Sequence, residues 1–139
     1  MIALVPLCSM TLRLAKPLDV GAAPIGQRIV AEIASAEISG RLSGALAGSS
    51  SADWLTRTAD GLGLPDVRIA IRTDDNALIL MRYFGRLRFV PNAESISLVA
   101  PVFETGDPRY AWINDVQAAG KGVFSADRTT LSYELYELQ

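Results

Sequence analysis

The stretch Asp66-Val-Arg-Ile-Ala-Ile-Arg-Thr-Asp-Asp-Asn-Ala-Leu-Ile-Leu-Met-Arg-Tyr-Phe84 decides the fold class. Val67, Ile69 and Ile71 alternate with Arg68, Ala70 and Arg72, and a period of two puts the aliphatic residues on one strand face and the arginines on the other. Asp74, Asp75 and Asn76 follow; Asp and Asn tolerate left-handed dihedrals and make a tight hairpin turn. The return strand over residues 77–84 sets Leu78, Leu80 and Arg82 opposite Ala77, Ile79, Met81 and Tyr83, and Gly85 is expected to close it.

The same alternation recurs on either side. Residues 4–14 read as a strand with Cys8, Met10, Leu12 and Leu14 on its buried face, stopped by Pro17. Residues 18–25, with Gly21 and Pro24, read as a loop before a long strand at residues 27–40 and a short one at residues 42–47. Residues 52–58 lead into the turn Ala59-Asp60-Gly61. Residues 91–94 read as a helical turn, residues 95–105 as a strand interrupted at Pro101, and residues 110–113, 116–124 and 129–138 as the last strands. No segment carries an apolar stripe at spacings of three and four over a helical length. Closure is the economical way to remove the edges of so many hairpin-spaced strands. The expected architecture is all-β: one domain over residues 1–139, a single antiparallel barrel of about eight to ten strands, calycin-like or allene-oxide-cyclase-like, with almost no helix.

Composition narrows the chemistry. The chain has 139 residues, half of them hydrophobic and a fifth charged, so it holds enough apolar material for one core. A net charge of −2 gives no general basic field, which argues against nucleic acid as a partner. The apolar residues 1–8 have no basic flank and are soon followed by Arg13 and Lys16, fitting neither a signal peptide nor a spanning helix. A cytoplasmic protein without a membrane partner is expected. Cys8 is the only cysteine and histidine is absent, which removes the disulfide, the thiolate cluster, the histidine base and the histidine-ligated metal. No metal and no cofactor are therefore expected. Acid and base work falls to Asp, Glu, Tyr, Lys or water.

A resemblance rests on residues spread along nearly the whole chain: Leu4-Val-Pro-Leu7, Gly26-Gln-Arg28, Leu42-Ser-Gly44, Asp53-Trp54, Arg72-Thr-Asp-Asp75, Phe103-Glu-Thr-Gly106 and Tyr110-Ala-Trp-Ile-Asn114. This pattern resembles the bacterial and fungal domain-of-unknown-function family numbered 3237. Its most specific parts are residues 72–75 and 103–114. The resemblance implies a compact antiparallel barrel, a homodimer, and no established general activity. The family pattern has a glycine pair before the Asp-Trp step and a glycine after the hairpin aspartate, where this chain has Ser51-Ala52 and Asn76.

Three constellations are candidates for a site. Arg68 and Arg72 share a strand face; pointing inward they would fix a carboxylate or enolate, pointing outward they are a solvated face. Asp53 beside Trp54 is a carboxylate that an indole can help desolvate, and so a candidate general base or acid; the alternative is a surface aspartate ahead of a core tryptophan. Glu104, Tyr110, Trp112 and Asn114 form the sharpest set. Read as a strand, residues 110–114 put Tyr110, Trp112 and Asn114 on one face, and a hairpin through Gly106-Asp107-Pro108 brings Glu104 alongside. The alternative there is a buried structural network. Arg82, Arg86 and Arg88, interleaved with Tyr83 and Phe84, read as a solvated face rather than a nucleic-acid stripe, and Gly61-Leu-Gly63 opens no helix and makes no dinucleotide fingerprint.

The sequence thus points to a small metabolite bound in the barrel, apolar or aromatic and carrying a carbonyl or acid. A cofactor-free isomerase, cyclase or lyase would use Glu104 or Asp53 as catalytic residues, with Arg72, Trp54, Tyr110, Trp112 and Asn114 as ligand-binding residues. A non-enzymatic ligand-binding or dimerising accessory protein is the other reading.

Overall fold

The computed structural model describes residues 1–139. Its strands are β1 (Leu4–Leu14), β2 (Leu18–Ala23), β3 (Gly26–Gly40), β4 (Gly44–Leu46), β5 (Ala52–Arg57), β6 (Leu62–Leu64), β7 (Asp66–Thr73), β8 (Leu78–Arg88), β9 (Ser95–Val99), β10 (Val102–Glu104), β11 (Ala118–Phe124) and β12 (Thr130–Leu138). One 3-10 helix, Pro108–Asp115, is the only helical element. All pairings are antiparallel, and β1 pairs with both β12 and β3, which closes the sheet on itself. Ten strands make the circuit. β2 pairs only with β3, and β10 pairs with β8 off the main path.

The hairpin at residues 66–84 has the register its alternation demands. Val67 faces Tyr83, Ile69 faces Met81 and Ile71 faces Ile79, all buried, while Arg68 and Arg72 stay on the outer face. Asn76 takes φ 72° in the turn, the left-handed conformation that the family pattern assigns to glycine. Ile69, Ile71 and Ile79 are almost wholly excluded from water, each burial being worth about 1.5–3 kcal/mol. They join Leu7, Met10, Leu12, Ile33 and Leu42 in one continuous core.

Four expectations fail for local reasons. Residues 18–25 are not a loop: β2 hydrogen-bonds to β3 outside the barrel wall, where no buried face imposes alternation, and a register shift at Asp19/Gly21 absorbs Gly21 at φ 90°. Gly85 does not end β8, which runs on to Arg88; at Gly85 the backbone of Leu98 approaches so closely that a Cβ would collide with its carbonyl. Residues 91–94 make a plain turn with Asn92 at φ 57°. Residues 110–113 are not a strand but part of the 3-10 helix, started by Asp107, whose carboxylate accepts from the Arg109 N–H at 3.0 Å, with Pro108 next. The three-residue β6 is too short to show alternation in sequence.

The two ends of the barrel differ. At one end the turns at residues 40–44 and 74–76 meet the 3-10 helix, whose Ile113 is fully buried in the core. At the other end the turns after β5, β8 and β11 surround an opening.

Candidate functional site at the barrel mouth

The opening leads into a cavity of about 450 Å³ lined mainly by apolar groups, among them Leu14, Ile29, Ala31, Leu55, Phe89 and Phe124, with Arg57 and Arg128 at the rim. Its size is in the range of small-molecule sites. β5 supplies one wall by period two. Leu55 and Arg57 line the cavity, and Asp53 lies two residues further in, on the same face, paired across the sheet with Ala31 and Val67. Asp53 Oδ1 accepts the main-chain N–H of Asp66 at 3.0 Å, leaving Oδ2 free. Burial pushes the Asp53 carboxyl up to about 6, against the lowering by that N–H bond, with the charge of Asp66 adding to the rise.

Two tyrosines stand beside it in the barrel interior. Tyr83 of β8 and Tyr133 of β12 pack edge to face with ring centroids 5.7 Å apart. Tyr133 Oη and Ser97 Oγ are 3.1 Å apart, while Tyr83 Oη is buried without a hydrogen-bond partner. Burial raises both phenols above their ordinary value, Tyr83 strongly, and the Asp53 charge adds to each. Room for the Tyr133 ring comes from Gly122, directly opposite on β11. The result is a carboxyl that changes charge near neutral pH, next to two neutral phenols, under an apolar chamber. Such a set can take up a proton from a bound molecule and return it. No group of three or more His, Cys, Asp or Glu converges to hold a metal ion.

None of the residues singled out in sequence lines this chamber; Asp53 alone shares the inward face of β5 with the lining residues Leu55 and Arg57. Trp54 points outward from β5, and Arg72 lies on the outer face with its Nη1 donating to Asn76 Oδ1 at 2.9 Å. Glu104 also sits outside the barrel, exposed on β10 near Arg68 and Arg82. Tyr110, Trp112 and Asn114 do not share a strand face, because the 3-10 helix fans them around its axis. Tyr110 Oη donates to Asp75 Oδ1 at 2.7 Å, the Arg41 guanidinium stacks 4.9 Å from the Trp112 ring centroid, and Asn114 bonds both the N–H and the C=O of Thr105 at 2.8 and 3.1 Å. These contacts fasten the 3-10 helix over the closed end, so the four do not assemble around one ligand position.

Arg57 and Arg128 at the mouth, and Tyr83, Tyr133 and Ser97 in the buried interior, were not singled out as a group. A signal existed for Arg57, since Asp53, Leu55 and Arg57 follow period two. Arg128 left none, because it occupies a turn at φ 62°.

Over residues 2–138 the sequence matches the family described as Protein of unknown function (DUF3237). The chain belongs to that family. Several solved structures share this barrel, among them the following three. A β-barrel-like protein from Acinetobacter baumannii AYE superposes with a TM-score of 0.90 at 26% identity, covering 100% of this chain and 97% of its own. A protein of unknown function from Clostridium acetobutylicum gives 0.88 at 24% identity, with 100% of both chains covered. A protein from Penicillium herquei, described as an enzyme, gives 0.73 at 23% identity, with 100% and 94% covered. No curated protein matches the DUF3237 chain. At these identities the likenesses establish the barrel.

Proposed function

We propose that this DUF3237 barrel binds a small apolar or aromatic metabolite in its mouth and acts on it as a cofactor-free isomerase, cyclase or lyase, with Asp53 moving the proton. One observation carries this reading: a carboxyl raised to about 6 shares the inward face of β5 with Leu55 and Arg57 of the apolar chamber, with one oxygen held by a main-chain N–H and the other free. A carboxylate of that basicity removes an activated proton from carbon and, as the acid, returns it elsewhere. The Penicillium herquei relative, described as an enzyme, supports catalysis over binding alone.

The test works without a named substrate. A mixed library of small aromatic acids and ketones is incubated with the protein in D2O, and exchange of carbon-bound hydrogen is followed by NMR. Exchange that occurs with the native protein and disappears in Asp53→Asn, while the same compound still binds, is the expected outcome. Binding without exchange in either form moves the protein to the ligand-binding class.

A second reading has its own observation. The outer face of β8, β9 and β10 exposes Leu78, Leu80, Phe84, Ile96, Leu98 and Val102. This large apolar patch on a barrel with arginines Arg68, Arg82 and Arg86 and the carboxylate Glu104 around it suits pairing with a second copy, since a two-fold axis can bring Glu104 of each to arginines of the other. Sedimentation of the native protein against Leu80→Glu tests it: a dimer lost in the variant supports the reading, and a native monomer at micromolar concentration removes it.

A further inference from the structure

The rim of the mouth carries an unusual charge arrangement. Arg57 ends β5 on the inward face and lies 4.7 Å from the Phe89 ring centroid; its side chain has no ion pair and no hydrogen bond. Arg128 rests against the same ring at 5.6 Å and against Phe124 at 5.2 Å. Its Nη2 donates to the Val90 carbonyl at 2.6 Å and its Nη1 to Ser95 Oγ at 3.0 Å, all uncharged partners. Two guanidinium groups therefore meet at one phenylalanine over an apolar cavity, and neither has a carboxylate. Elsewhere on this chain arginines pair with carboxylates, as Arg41 does with Glu137 at 2.7 Å and Arg109 with Asp107 at 2.9 Å.

Both guanidinium groups border the same cavity, and their forked N–H groups match a carboxylate. An anion at the rim supplies the hydrogen-bond partner that the Arg57 side chain lacks. The apolar wall behind the rim accepts a flat hydrocarbon body, and the inward face of β5 runs from Arg57 through Leu55 to Asp53.

We propose that the mouth selects a small aromatic carboxylate, with its charged end held by Arg57 and Arg128 at the rim and its ring among Leu55, Phe89 and Phe124. This assignment rests on the reading of the mouth as the ligand site. Arg57 is the specificity-determining residue, and Arg128, anchored to Val90 and Ser95, is its fixed partner. The carboxylate end stays at the rim, so the reacting carbon is the end of the molecule remote from it, nearest Asp53.

The experiment uses matched pairs. Binding of 2-naphthoate and of its uncharged counterpart 2-naphthamide is measured by amide chemical-shift changes at Ala31, Leu55 and Phe89, in native protein and in Arg57→Gln. Arg57 has no hydrogen bond to lose, so the variant keeps its fold, and its melting temperature verifies this. The expected result is that the acid binds about tenfold more tightly than the amide, and that Arg57→Gln removes that gap while leaving the amide affinity unchanged. Equal affinities of acid and amide for the native mouth overturn the anion assignment and leave the pocket reading standing. Shifts confined to the outer face, at Arg68, Arg82 or Arg86, overturn the assignment as well. If neither compound perturbs the mouth, the pocket reading fails and this inference fails with it.

Discussion

The Tyr110 hydroxyl donates to the Asp75 carboxylate at 2.7 Å, joining the two most distinctive stretches of the sequence across the closed end of the barrel. Thr73 donates to the same oxygen at 2.7 Å, and Arg109 adds a bond to the Asp75 carbonyl at 2.8 Å. The β7–β8 turn and the 3-10 helix are thus one fastened unit. The Thr73 hydroxyl first, then Tyr110, holds Asp75 below its ordinary carboxylate range. That contribution is present above the unfolded value of 3.8 and is lost as pH falls through the folded one.

Tyr110→Phe should loosen this fastening without opening the barrel. Hydrogen exchange is the readout: amides of residues 109–115 should exchange faster, with β1, β8 and β12 as protected as before. Acidification below the Asp75 transition should have the same local effect on the native protein. Uniform loss of protection would mean that the helix is part of the global folding unit.

The fold was legible because buried barrel strands alternate, and residues 66–84 show it with few exceptions. The site was not, for two physical reasons. First, the stretch richest in chemistry, residues 103–114, is polar because it caps an end with hydrogen bonds; its Asp107-Pro108 start favours a helix N-terminus, and a period of two has no meaning there. Secondly, the mouth is assembled from β1, β3, β5, β11 and the turns after β8 and β11, and Asp53, Tyr83 and Tyr133 come from β5, β8 and β12, so these residues meet only once the sheet closes. Asp53 alone could be named in advance, from its local context.

Gly122 should be intolerant of any side chain. Its Cβ would strike the Tyr133 ring, which is pinned by Tyr83 on one side and Ser97 on the other. Gly122→Ala should cost about 1–3 kcal/mol by overpacking, measured by urea unfolding, and should displace the Tyr133 resonances. Gly106→Ala is the control, since nothing lies within 4 Å of the added carbon; it should stay within about 0.5 kcal/mol of the native protein.

Glu104→Gln should change nothing at the mouth. Glu104 projects from the outer face of β10, and neither its charge nor its side chain reaches the chamber. Proton exchange with library ligands and the melting temperature should both match the native protein. A loss of exchange with intact binding would return Glu104 to the catalytic role that its sequence context suggested.

Asp53→Asn should stabilise the fold at neutral and alkaline pH. The native carboxyl sits at about 6 against 3.8 when unfolded, so between those values the folded state binds the extra proton. A raised value means that the stabilisation is complete below about pH 4 and is lost as pH rises through 6. The shift corresponds to roughly 3 kcal/mol. The groups facing this carboxyl are the Asp66 N–H and charge and the Tyr83 and Tyr133 phenols; asparagine keeps an oxygen for the N–H and cannot ionise. Urea unfolding of both forms from pH 4 to 8 should give curves that coincide at the acid end and separate by up to about 3 kcal/mol at the alkaline end, the variant being the more stable. Parallel curves would mean that the carboxyl is hydrated and unperturbed, and would remove the basis for its proton-transfer role.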